Sequence, residues 1–183
     1  MLEIDFSGPW ALLPNTDNVP YLLAAPAAWG PGIYLWTFLF NQAHRMNRIE
    51  AVGDSVAARH EETLTAFLAG KRTVYRTDEL DEGTLIPAFT PADDHDAFIA
   101  AYPDVMHHVS SLRVFYAPYD GDDAMRERIA TALTAHFHRL GGKAIAWLEN
   151  EPVSYDADAY ADPITLRIGR PAFIASLPDE MHL

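Results

Sequence analysis

Residues 32 to 40 read Gly-Ile-Tyr-Leu-Trp-Thr-Phe-Leu-Phe, a run that is β-branched, aromatic or leucine at every position after the glycine. Such side chains fit a pleated sheet, and the run predicts a strand. A polar stretch, Asn41 to Asn47, predicts a turn. Arg48 to Val52 is a candidate partner strand, so 32 to 52 reads as a hairpin. The chain then changes period. Asp54 or Ser55 can cap a helix running to about Ala69 and closed by Gly70. Val56, His60, Leu64, Phe67 and Leu68 fall on one face of it. Arg59 and Thr63, four apart, lie along one margin of that face, which puts Arg59 beside the sheet.

The remaining segments are less regular. Residues 1 to 31 carry five prolines (Pro9, Pro14, Pro20, Pro26 and Pro31) and predict an irregular arm laid over the domain. Residues 71 to 104 are mixed, with acidic turns at Asp78-Glu79 and Asp93-Asp94 and a short helix over Asp94 to Tyr102. Ser111 to Ala117 predicts a strand that follows His107-His108. Asp122 or Asp123 caps a helix ended by Gly141-Gly142, with Met125, Ile129, Leu133, His136, Phe137 and Leu140 as its buried stripe. Ala144 to Leu148 predicts a short strand or extended segment, Tyr155 to Asp162 an acidic loop, and Ile164 to Ile168 a late strand. Helices and strands mix without βαβ alternation. The expected class is α+β, a small central antiparallel sheet flanked by helices.

With 183 residues the chain fits one domain and can bury a core. It has no cysteine, which excludes disulfides and thiolate chemistry. The first residues show neither a basic nor an apolar leader region, and no stretch reaches the length of a membrane span. A cytoplasmic location without membrane contact is expected. Net charge is −13, and residues 77 to 183 hold seven basic against 19 acidic groups, a balance of −12. Free nucleic acid is disfavoured as a partner by that field. The acidic C-terminal half is a candidate contact surface for a protein partner.

The order of these elements carries a resemblance. A strand with Gly32-Ile33-Tyr34, a strand ending Ala51-Val52-Gly53, a helix with Arg59, the strand near 112 to 117 and an amphipathic helix together resemble the GIY-YIG nuclease family over roughly residues 30 to 155. The resemblance implies an arm (1 to 31), a GIY-YIG-like domain (32 to 155) and a C-terminal extension packed on it (156 to 183). It also implies metal-assisted phosphodiester hydrolysis. Strand tyrosines would handle the attacking water, a helix arginine the phosphate, a histidine the proton, and a glutamate a divalent cation, Mg²⁺ if the chain is active.

Carried over residue by residue, Tyr34 and Arg59 match the catalytic positions, and Asn150 matches a polar residue supporting the site. Ala51 stands where the second tyrosine belongs, Thr63 at the histidine position and Ala130 at the metal carboxylate. Glu127, about 160° from Ile129 around its helix, is expected to point away. A decayed site retained for protein or nucleic-acid binding is therefore expected. The alternative is an active endonuclease using Tyr34 and Arg59 with substitute ligands such as Glu149 or Glu127. A decayed site should leave Tyr34 and Arg59 in one cleft with no carboxylate converging on it.

Simpler roles compete at each position. Tyr34 can be a packed strand tyrosine, and Arg59 an ion-pair partner of Glu62 or Glu50. Asp93-Asp94-His95-Asp96 suits a solvated helix start. His136 suits the core. No nucleophile elbow, P-loop or dinucleotide fingerprint occurs.

Overall fold

The computed structural model describes residues 1–14, 16–77 and 84–183, and the expected turn at Asp78-Glu79 lies outside them. In chain order the elements are β1 (Leu2–Asp5), β2 (Ser7–Ala11), β3 (Gly32–Phe40), β4 (Ala43–Val52), α1 (Val56–Leu68), β5 (Val74–Tyr75) and β6 (Pro87–Phe89). Then follow α2 (His95–Ala100), α3 (Tyr102–Ser111), β7 (Leu112–Pro118), α4 (Asp123–Leu140), β8 (Thr165–Gly169) and β9 (Glu180–His182). The fold is α+β.

The apolar run is β3, an inner strand of an antiparallel sheet ordered β2-β7-β3-β4. Its side chains alternate between two cores. Tyr34, Trp36 and Phe38 pack with Val56 and Phe67 of α1 and with Val105 and Val109 of α3. Ile33 and Leu35 pack on the opposite face with Ile129, Leu133 and Phe137 of α4. Gly32 through Phe38 are all buried, which explains why this strand shows no polar alternation. Each large apolar side chain so buried contributes about 1.5–3 kcal/mol. Gly32 itself is fixed by close approach, because a Cβ there would collide with the Ala117 carbonyl and the Tyr116 ring on β7.

The hairpin turn is shorter than its polar sequence suggests. Asn41 and Gln42 alone make it, with φ of +49° and +64°, the geometry whose twist matches the flanking strands. Ala43 to Asn47 therefore belongs to β4, with His44 and Met46 buried. Ser55 caps α1 by accepting a hydrogen bond from the Ala58 amide (3.2 Å), and Asp122 caps α4 through the Met125 amide (2.7 Å). Asp94 caps α2 in the same way (2.8 Å), the solvated helix start expected there.

Three segments differ from expectation. The proline-rich arm contains two strands: β1 pairs in parallel with β8, and β2 pairs with β7. His107 and His108 precede β7 as expected, but they lie on a helix, α3, that the sequence reading did not assign; Pro103 sits in its first turn, where a missing N–H costs nothing. Residues 144 to 148 are not a strand; a 3₁₀ turn, Gly142–Ala144, leads into them, and Trp147 is buried. The second sheet, β1-β8-β9, lies against α4 through Ile4, Leu166 and Ile168. No helix among the described residues is long and apolar enough to cross a membrane.

Candidate functional site

Tyr34 points from β3 into the core beneath α1 and is fully buried. Its hydroxyl lies 3.2 Å from Nδ1 of His60, and Nε2 of His60 lies 3.1 Å from the Leu12 carbonyl. A carbonyl can only accept, so Nε2 carries the ring proton and Nδ1 accepts from the tyrosine. Burial lowers the His60 pKa from 6.5 to about 4, and the ring is neutral at physiological pH. Burial first and the Glu50 charge second push the Tyr34 hydroxyl well above its ordinary value, against Arg48 and Arg59. Tyr34 is thus a protonated donor within a tie between β3, α1 and the segment after β2.

Across the hairpin, Tyr34 pairs with Glu50 of β4. Glu50 is 9 % exposed. Its Oε1 lies 2.6 Å from Arg48 Nη2 and 3.8 Å from Arg59 Nη2. Burial raises its pKa, and the two guanidinium groups pull it back. Arg59, one position from His60 on α1, also binds Glu62 Oε2 at 2.7 Å. Both ion-pair partners considered for Arg59 are therefore real. In the segment after α1, Arg72 stands 3.6 Å from Glu149 and over the rings of Trp36 and Phe67. Burial raises the Glu149 pKa as well, opposed by Arg48.

Asn150 is brought to the site by a strap, residues 147 to 150, laid along the outer edge of β4. The Glu149 amide donates to the Asn47 carbonyl (2.7 Å), and the Asn47 side chain donates to the Trp147 carbonyl (2.8 Å). The Asn150 side chain accepts from the Ile49 amide (2.8 Å) and donates to the Ile49 carbonyl (2.9 Å). A single carboxamide thus satisfies one edge residue as a neighbouring strand would. Both of its polar atoms are engaged in this clasp.

Beyond the strap the edge opens into a groove of about 320 Å³. Ile49, Glu50 and Ala51 form its floor, Arg59 one end, Asn150, Glu151 and Val153 one wall, and α4 the other. The α4 wall is Glu127, Ala130, Thr131 and Thr134, a face spaced i, i+3, i+4, i+7. Glu127 therefore does not point away: it opposes the Ile129 stripe but shares a face with Ala130. The helix has two working faces, one toward the sheet and one toward the groove. Glu127 and Glu151 are exposed and make no ion pair among the described residues. Tyr34 is buried and does not line the groove, so it and Arg59 do not share the expected cleft, and two carboxylates, Glu50 and Glu62, converge on Arg59.

The donor set does not fit a divalent cation. Among the described residues no three His, Asp or Glu side chains are placed to hold a metal ion. Thr63 is buried and Ala51 and Ala130 offer no ligating atom. His136 is half-buried rather than in the core, with Nε2 at 3.1 Å from the Ser176 carbonyl and Nδ1 accepting from Arg139. Two buried histidines escaped sequence reasoning as structural groups. His44 donates from Nδ1 to Thr37 Oγ1 (3.2 Å), whose own proton goes to the Arg113 carbonyl. His108 accepts the Tyr75 amide (3.2 Å).

Comparison with protein-family models, with curated proteins and with solved structures yields no match to this chain.

Proposed function

We propose that this chain is a GIY-YIG-like domain whose hydrolytic site has decayed and whose groove is kept for binding a protein. The carrying observation is the Tyr34 hydroxyl, fully buried and committed to His60. A water nucleophile has no access to it. The reading is supported by the order of elements: strands 32–40, 43–52 and 112–118 are neighbours in one sheet, and α1 and α4 follow the second and third of them in the chain. The chemistry is what is missing. Arg59 already holds Glu62 and Glu50, so a phosphate would have to displace two carboxylates. Hydrolysis also needs a cation and a base, and positions 51, 63 and 130 supply neither. The groove carries Glu50, Glu127 and Glu151 against Arg59, which repels a phosphodiester and suits a basic partner.

The test is supercoiled plasmid incubated with the protein and Mg²⁺ or Mn²⁺. The expected result is intact plasmid, with no retention of DNA at low salt. Nicking that disappears in Arg59→Ala would overturn the proposal and restore an active endonuclease.

A further inference from the structure

The outer edge of β4 has three successive outward-facing positions, Asn47, Ile49 and Ala51. The strap satisfies the first two. At the third, no hydrogen bond to the Ala51 N–H or C=O on that side is made among the described residues. That backbone lies on the floor of the groove. An exposed sheet edge is a template for another strand unless something blunts it. Proteins blunt such edges with lysine, proline or a cover, and among the described residues none of these stands over Ala51. The groove instead leaves room beside it.

We infer that Ala51 and its groove form a docking site for an extended, lysine- or arginine-bearing segment of a partner protein, which adds a short strand to the edge of β4. The inference rests on the binding-domain reading and names its partner. Backbone pairing at Ala51 supplies the anchor, and side chains alternate to the two sides of the added strand. Those on one side meet Glu127 on α4, and the wall carries Glu151. Both carboxylates are exposed and without an ion-pair partner among the described residues, so a cation arriving there displaces no existing contact. Arg59 at the end of the groove is paired with Glu62 and Glu50, which leaves the two wall carboxylates as the uncompensated charge. Ala130 and Thr131 between them are small enough for a strand to approach closely.

The probe is a nine-residue peptide alternating lysine and valine, followed by fluorescence anisotropy at low salt against the full chain. Two analogues accompany it, one with glutamate for lysine and one N-methylated at every second peptide nitrogen, made in both registers. The lysine peptide should bind and the glutamate peptide should not. Glu127→Lys combined with Glu151→Lys should weaken binding at least tenfold, and N-methylation in one register should do the same. The Ala51 amide resonance should shift on titration. No binding, indifference to the double reversal, or equal binding of both methylated peptides would overturn the inference; the last would mean attraction without strand pairing. Intact plasmid with no peptide bound sinks this inference alone, whereas nicked plasmid sinks the binding-domain proposal beneath it.

Discussion

Acidification from pH 7 to pH 5 should remove much of the stability of this protein, and three histidines set the amount. His44, His60 and His108 are each under 10 % exposed, and burial lowers each pKa from 6.5 to about 4. A base with a depressed pKa binds fewer protons folded than unfolded. Stability is therefore fully present above pH 6.5 and is lost as pH falls through the window down to about 4. At pH 5 the loss is about 2 kcal/mol per ring, or about 6 kcal/mol for three, against a typical total of about 5–15 kcal/mol. Glu50 and Glu149 run the other way. Burial raises both, so their protonation favours the folded state and offsets part of the loss at the acid end. The assay is urea unfolding followed by tryptophan fluorescence at pH 7, 6 and 5. With a slope of about 2 kcal/mol/M, the midpoint should fall by about 3 M. His60→Gln, whatever its cost at pH 7, should recover about a third of the difference between pH 7 and pH 5, because one of three titrating rings is gone. A midpoint that stays flat to pH 5, or an unchanged pH difference in His60→Gln, would refute the assignment of these rings as neutral and buried.

Asn150→Ala should destabilise the fold by about 1–3 kcal/mol, since the Ile49 amide and carbonyl both lose their partner. Hydrogen exchange should show the loss at Ile49 and in the strap; unchanged protection there would contradict the clasp. Tyr34→Phe should cost about 1–2 kcal/mol by leaving His60 Nδ1 unpaired, read as a lower thermal midpoint. A neutral or stabilising result would show that the hydroxyl is not committed to the core.

Legibility in the sequence followed the range of the interactions involved. The 32–52 hairpin and both long helices were visible because periodicity and caps are local signals; Ser55 and Asp122 cap where their side chains predict. The turn at Asn41-Gln42 was misjudged because the largely polar stretch 41–47 suggested a loop, while His44, Met46 and Asn47 are in fact buried within β4. The strands β1 and β2 were missed because their partners lie more than a hundred residues away and Pro9 argues locally against a strand. At the site, Tyr34 on β3 and Arg59 on α1 beside the sheet were readable from periodicity. The depth of Tyr34 was not, since it depends on Leu12 and His60 closing over it. Glu127 is exposed, but it was expected to point away from the site because a helix covered on one side was assumed, whereas α4 also walls the groove.

The pairing of β1 with β8 and β2 with β7 has a consequence in time. Leu2 waits for Leu166, and Trp10 for Val114. At a synthesis rate of about 5–20 residues per second, the first strand spends roughly 10–30 s outside the ribosome before its partner exists. During that interval β3 and β4 can already close their two-residue turn, while the residues that will flank β7 and β8 remain single extended segments. The most exposed species in the life of this protein is therefore its nascent chain, and slowing elongation between residues 52 and 166 should lengthen the period in which chaperones are needed.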